Sequence, residues 1–386
     1  MKKNKQKITL IVHNLSANPI ARAYPIALAL ERIGYEIEIV GFLIEKNKVY
    51  QPYADKFNYK TVFIGNGGML HYLKGLPKLL KLIDGDIIYT FKPRMTSFFV
   101  GLLKSRFGIK KELILDAEDD ELFFTYRNHL HFLYYFFLRG WNNPNSHLKL
   151  LLLHLFLWPA KKRTVVSSKL KKKYGGIIIY HGPDENIYNP DLFDKTKSRE
   201  EFNLPQDKKL ILFAGVPHEH KGIRTIIEAL ERLNNDELAL VCAGPPDHEL
   251  FIEAKNRLRD NCIMLGMVDH NKIASLLAAV DITPILQKKM KFTESQMPAK
   301  LFEAMAMKKL IIATDASDIG LVIGQNDLNQ RGFIIDYDDV DQLIELLNIS
   351  IDNSELISKI SENARNFYLK EASVGVLAQK LSALLK

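Results

Sequence analysis

Apolar and polar positions change period regularly along the chain. Lys7–Val12 is a short continuous apolar run, the pattern of a strand covered on both faces. Ile20–Ile33 carries apolar residues at helical spacing and stops at Gly34, a suitable C-cap. Tyr35–Phe42, Thr61–Ile64, Asp86–Thr90 and Leu113–Asp116 read as further strands. Residues 181–207, with the turn cluster His181-Gly182-Pro183-Asp184 and with Pro190 and Pro205, predict a connector. A second series starts at Lys209. Its strands are Leu210–Ala214, Leu238–Ala243, Ile263–Leu265, Ile282–Ile285, Leu310–Thr314 and Gly332–Ile335. Its helices are Gly222–Leu233, Glu249–Arg259, Asn271–Ala279, Pro298–Met307 and Val340–Leu347, and the pattern from about 353 to 386 is helical. Strand–helix alternation in two series predicts two Rossmann-like α/β domains with doubly wound parallel sheets, facing across a cleft. They are expected at 1–190 and 191–365, with 366–386 a terminal helix packing back on the first.

The length of 386 residues suits two domains of ordinary size, and 47% hydrophobic with 25% charged residues is the balance of a globular protein. A net charge of +8 favours acidic partners: phosphates, anionic lipid or nucleic acid. No nucleic-acid module accompanies the charge, so nucleic acid is not an expected partner. Cys242 and Cys262 lie in apolar runs without metal-type spacing and read as buried small hydrophobes, which fits a cytoplasmic location. The N-terminus turns from basic to apolar for only about six residues before His13 and Asn14 interrupt it. It reads as a first strand and not as a signal peptide.

Residues 130–173 stand apart. Leu130–Leu138 and Leu148–Trp158 are strongly apolar and aromatic, each too short to span a bilayer, and Asn142-Asn143-Pro144-Asn145 breaks them. Lys161, Lys162, Arg163, Lys169, Lys171, Lys172 and Lys173 follow. Two readings stay open: a surface for peripheral contact with anionic membrane at the inner face of the cell membrane, or two core helices followed by a solvated basic face.

Candidate chemistry concentrates in the second half. Gly215, at a strand end, lets a ligand approach the backbone, and Lys221-Gly222 at a helix start puts an ammonium and free N–H groups beside an anion. In Glu294–Ala306, Ser295 is placed to cap a helix with Pro298 in its first turn, exposing N–H groups to a diphosphate. Lys300 and Glu303 share a helix face, and a carboxylate there can accept from two neighbouring hydroxyls, as in the grip on a ribose. Spacing alone leaves a capped surface helix with a local Lys–Glu pair equally open.

Taken together, the second half resembles the donor lobe of glycosyltransferase family 4. The resemblance is carried by Gly215 with Lys221-Gly222, by Ala243-Gly244-Pro245, by Leu265-Gly266 followed by Asp269, and by Ala279-Val280-Asp281-Ile282. It continues in Pro298-x-Lys300-x-x-Glu303-Ala304-x-Ala306, Ile311–Asp315 and Gly332-Phe333, in order over nearly all of 208–347. His181–Asp184, Tyr188 and Pro190 are similar to the family's connector. The resemblance implies a GT-B enzyme that moves a sugar from a nucleoside-diphosphate sugar to a glycan or lipid-linked acceptor, as in cell-surface polysaccharide or glycolipid synthesis. It implies retention of configuration and no cofactor or bound metal. Lys221 would neutralise the diphosphate, Glu303 would hold the ribose, and the backbone at Gly244 and around Gly266, Met267 and Val268 would meet the nucleoside. Ser295, Gln296, Pro298, Ala299 and Lys300 would cradle phosphates and sugar.

The chain departs from that pattern at three points. The family often has two glutamates separated by seven residues; here Ser295 stands where the first is expected, and Glu294 is one residue early. An arginine often follows the first glycine; here it is Val216, with His218 or His220 as the candidate substitute. The first strand–helix turn is Ser16-Ala17-Asn18-Pro19 instead of a Gly-Gly loop. In the first half, Asp116 and Glu118 at a strand end are candidates for the reacting centre and acceptor hydroxyls, or an acidic loop capping a helix. His13 and Asn14 are candidates for sugar contact, and Lys92 and Arg94 for an anionic acceptor. The alternatives to transfer are a nucleotide-sugar epimerase of the same architecture, or a non-catalytic glycan- or nucleotide-binding partner.

Overall fold

The central strand runs are rich in Ile, Val and Leu and carry no wet face, so they must be covered on both sides. The computed structural model describes residues 5–107, 109–122, 140–324 and 328–386. It places the strands in two parallel sheets, one in each of two units. Unit 1 is residues 1–181 and 374–386, and unit 2 is residues 182–373.

Unit 1 runs β1 (Lys7–Val12), α1 (Ile20–Arg32), β2 (Glu36–Leu43), β3 (Tyr59–Phe63), α2 (Met69–Leu82), β4 (Ile87–Phe91) and α3 (Val100–Arg106). It continues through β5 (Glu112–Ala117), α4 (His147–His154), β6 (Lys162–Val165), α5 (Ser168–Tyr174) and β7 (Ile177–Ile178). The sheet order is β3-β2-β1-β4-β5-β6-β7, all parallel. The order reverses between β1 and β4, so their carboxyl ends, with His13 and Lys92, flank the crevice where such sheets bind ligands.

Unit 2 runs α6 (Lys195–Glu201), β8 (Lys209–Ala214), α7 (Ile223–Leu233), β9 (Leu238–Ala243), α8 (Glu249–Leu258), β10 (Cys262–Gly266), α9 (Ile273–Ala279) and β11 (Ile282–Ile285). Then come α10 (Ala299–Ala306), β12 (Leu310–Thr314), α11 (Ile319–Ile323), β13 (Phe333–Ile335), α12 (Val340–Asp352) and α13 (Ser354–Glu371). The order β10-β9-β8-β11-β12-β13 reverses between β8 and β11. The segments leaving those two strands, Gly215–Gly222 and Leu286–Pro298, are the ones singled out in the sequence. The last helix, α14 (Val374–Leu385), packs on α1 within unit 1.

Several elements differ from expectation for local reasons. The 181–207 connector contains α6, started by Asp194, whose carboxylate accepts the Lys197 N–H. Helix α2 is interrupted in sequence by Gly75 and Pro77. Gly75 is needed because a Cβ there would lie 2.6 Å from Ile64 Cγ2. Part of the basic run is not a solvated tail: Lys162 and Arg163 belong to β6, inside the sheet. The Leu130–Leu138 run lies outside the described residues. Among the described residues no helix is long and apolar enough to cross a membrane.

Candidate functional site

Three neighbouring strands of unit 2 finish in glycine: Gly215 after β8, Gly244 after β9 and Gly266 closing β10. The Gly215 N–H donates to the Ala243 carbonyl at 2.6 Å and the Gly244 N–H to the Gly266 carbonyl at 2.8 Å. A Cβ on Gly244 would stand 2.4 Å from the Gly215 oxygen, and Gly215 has φ +102°. Side chains are therefore excluded and the strand ends form a bare backbone floor. The Lys300 ammonium lies over it, 2.7 Å from where a Gly215 Cβ would be. Beyond the floor, Met267 is exposed and Val268 half-buried, an apolar edge for a flat ring.

Lys300 and Glu303 rise from one face of α10. Neither side chain makes a hydrogen bond or ion pair among the described residues. Burial lowers the Lys300 pKa to about 8, with Lys221 repelling it and Glu303 partly compensating. Burial raises the Glu303 pKa, opposed by Lys300. Lys221 donates to the Val216 carbonyl at 2.8 Å, and burial lowers its pKa too. Two ammoniums are thus gathered near each other without a carboxylate in contact, a costly arrangement unless an anion joins them. The start of α10 adds to it: Pro298 occupies the N-cap position, and no side chain caps the helix. Ala299 is exposed and Gln296 half-buried beside that end.

Ser295 is not that cap. It closes a separate turn, Thr293–Ser295, where it is fully buried and its hydroxyl donates to the Phe292 carbonyl at 2.9 Å. Proline at 298 has no N–H to offer and a fixed φ, so the helix begins after it.

In unit 1 the expected residues do gather at the carboxyl ends of β1, β4 and β5, in other roles. Asp116 is fully buried and bound by Arg22 of α1 through Nε at 3.1 Å and Nη2 at 2.8 Å. Thr164 donates to it at 2.6 Å, and Arg22 also donates to the Ile179 and Tyr180 carbonyls at 2.9 and 3.1 Å. With its oxygens engaged, Asp116 holds the unit together and does not face a ligand. Lys92 and Arg94 are not free for an anionic acceptor either. The Lys92 ammonium meets Glu118 at 3.1 Å, Glu121 at 3.5 Å and Asp119 more closely still, and Arg94 holds Glu121 at 2.5 Å. Asn14 turns inward, its side chain accepting the Ser16 N–H at 2.9 Å. His13 is different. It is buried, its Nδ1 has no partner among the described residues, and burial, Arg94 and Lys92 push its pKa well down, so the ring is neutral. Burial and the neighbouring Asp119 and Asp116 raise Glu118 to about 7 against the pull of Lys92. The cluster therefore offers a neutral imidazole and a half-protonated carboxyl, groups suited to hydroxyls.

Residues 194–367 match the family described as Glycosyl transferases group 1. That match spans most of unit 2. A curated relative, the putative colanic acid biosynthesis glycosyl transferase WcaI of Escherichia coli, is 27% identical over 111 residues. That alignment spans 28% of this chain and 27% of the relative, so the chain covers about a quarter of its length. Two solved structures cover nearly the whole chain. The glycosyltransferase from Rickettsia africae is 19% identical, with a TM-score of 0.73 and 100% of both chains covered. Anabaena Alr3699/HepE in complex with UDP-glucose is 17% identical, with a TM-score of 0.72, 98% of this chain and 99% of that one covered. The chain has their GT-B fold of two parallel-sheet α/β domains.

Unit 2 also holds residues that spacing did not bring together. His218 and His220 stack with ring centroids 5.5 Å apart, and His248 meets His218 edge-on at 6.4 Å. His248 lies about thirty residues downstream, so only the shared position, three or four residues past a strand-end glycine, pointed to it.

Proposed function

We propose that this chain transfers a sugar from a nucleoside-diphosphate sugar to a hydroxyl of a glycan or lipid-linked acceptor, with retention and without a bound metal, in the assembly of cell-surface polysaccharide or glycolipid. The observation that carries it is Lys300 over the glycine floor with Glu303 on the same face of α10, both without a partner among the described residues, at the point where the strand order of unit 2 reverses. Lys221, Lys300 and the open end of α10 take the diphosphate, and Glu303 takes the ribose diol. The bond from the anomeric carbon to the diphosphate oxygen breaks while the acceptor oxygen joins that carbon. The acceptor's proton passes to the departing diphosphate, whose charge the two ammoniums hold without a metal. In unit 1, His13 and Glu118 orient the acceptor hydroxyl. The WcaI name supports a polysaccharide product, and the HepE complex supports a nucleoside-diphosphate hexose.

The test is incubation with a panel of nucleoside-diphosphate sugars with and without glycan acceptors. Transfer to an acceptor, or slow donor hydrolysis without one, is expected. Release of an isomerised sugar nucleotide with no acceptor would instead establish an epimerase.

We also propose that unit 1 works at the cytoplasmic membrane surface. Helix α4 exposes Leu151, Leu152 and, just past its end, Leu155 and Phe156. Both tryptophans of the chain, Trp141 and Trp158, are exposed at 75% and 66%, and the Arg106 guanidinium lies 5.4 Å from the Trp158 ring centre. Lys171 and Lys172 are exposed on α5, which is tied to α4 by His154 and Tyr174 at 3.0 Å. Exposed tryptophan beside lysine is the composition of an interfacial anchor. The K171Q/K172Q variant should lose about 2 kcal/mol of affinity for anionic liposomes, roughly thirtyfold in co-sedimentation. Unchanged sedimentation would remove these lysines from the contact.

A further inference from the structure

We infer that the stacked pair His218 and His220 takes up a proton when a diphosphate enters unit 2, supplying the positive charge that Val216 does not provide. This rests on the donor reading above. The pair belongs to the turn that carries Gly215 and Lys221, and the His220 ring is braced edge-on by Phe292 at 5.3 Å. His248, reaching over from the Gly244 end, is a different kind of neighbour. Its Nδ1 accepts the Leu250 N–H at 3.3 Å and so caps α8, which leaves Nε2–H as a fixed donor.

In the empty protein the pKa of both His218 and His220 is lowered. Burial comes first, then Lys221; His248 adds to this at His218, and His218 adds to it at His220. The other charges around the rings are largely self-compensated. Glu219, between the two histidines, is turned to Arg224 of α7 at 3.3 Å, and Arg224 also meets Glu253 at 3.1 Å. Lys288 and Lys291 lie on the β11–α10 segment, Asp247 and Glu249 beside His248, and Lys300 and Glu303 on α10. A diphosphate brings two negative charges next to Lys221 and reverses the field at the pair. One proton is then favourable on the stack, and a second is not, because the rings are too close for two charges. Sign follows from linkage. Binding raises the pair's pKa, so affinity rises as pH falls through the raised value and is lost above it.

The experiment is calorimetric titration of the full chain with UDP-glucose, ADP-glucose and GDP-mannose, whose diphosphate diesters do not ionise between pH 5 and 8. Buffers of different ionisation enthalpy are used at pH 6.0, 6.5 and 7.5. The wild type should take up between about 0.3 and 1 proton at pH 6.5 and bind about fivefold more tightly at pH 6.0 than at 7.5. H218N/H220N should take up at least about 0.3 proton less than the wild type at pH 6.5 and change less than about twofold over the same range. The changes made by Glu303 and by Lys300, whose pKa of about 8 a diphosphate also raises, are common to both proteins and cancel in their comparison. H218K carries a permanent charge and should bind at pH 7.5 as the wild type does at pH 6.0. Binding by the wild type without proton uptake, or uptake in H218N/H220N equal to that of the wild type, overturns the inference and leaves the donor reading standing. Absence of binding by any of the three sugars in the wild type overturns the donor reading itself.

Discussion

Glu303→Ala is expected to abolish tight nucleotide-sugar binding while leaving the melting temperature of the empty protein unchanged or raised. The two halves of that result have one cause. Burial raises the Glu303 pKa, and no donor among the described residues bonds its carboxylate. Removing it removes a cost of folding, so stability should not fall. In the proposed complex the same carboxylate accepts from two hydroxyls, and charged hydrogen bonds of this kind contribute about 1.5–3 kcal/mol each. Loss of the pair should weaken Kd by at least about a hundredfold, read by calorimetry against a thermal melt of the same preparation. A variant that loses stability but keeps its affinity would make Glu303 a structural residue and move the ribose site elsewhere.

The opposite result is expected for Asp116→Asn. Here the partner is permanent: Arg22 is 1% exposed, and its guanidinium depends on Asp116 for charge compensation. Asparagine keeps the volume but leaves the arginine charge buried and uncompensated, which typically costs 3–5 kcal/mol. Unit 1 should lose most of its stability. Trp141 and Trp158 both lie in unit 1, so tryptophan fluorescence during urea unfolding reports that unit separately, which matters because a chain of two units need not unfold in one step. A midpoint shift worth less than about 1 kcal/mol would show that the Arg22 contacts to the Ile179 and Tyr180 carbonyls suffice without the carboxylate.

These two carboxylates also show what the sequence made legible. Glu303 could be singled out because its partner in the argument, Lys300, is three residues away on the same helix, and helical spacing is a local property. Asp116 was misjudged because an acid just past a strand end reads as a solvated loop, while the residue that decides its role, Arg22, is 94 positions away. Lys92 and Arg94 failed in the same way: the carboxylates that neutralise them sit on the next strand's loop, 27 positions on. The strands built on continuous aliphatic runs were legible nearly to their ends, but β6, which starts with Lys162 and Arg163, and the two-residue β7 were not, because neither carries such a run. Helix starts were less so. The Ser295 cap looked sound from residue types, but Pro298 sets where α10 can begin, and the serine turns to the loop before it. The histidine rim was half visible, because two members share one turn and the third joins them only through the adjacency of β8 and β9.

The position of α14 governs the order in which the protein can be completed during synthesis. Val374, Leu377, Ala378 and Leu381 fill part of the same core as Ile26, Leu30 and Ile179, so unit 1 is built from the two ends of the chain. Unit 2 is one uninterrupted segment and has all its strands and helices once residue 373 has left the ribosome. Unit 1 emerges first but must keep a patch of α1 uncovered for about 190 further residues, until its own last helix is released. Nascent chains arrested shortly after residue 181 would present that patch to chaperones, and unit 2 would mature ahead of the unit begun before it.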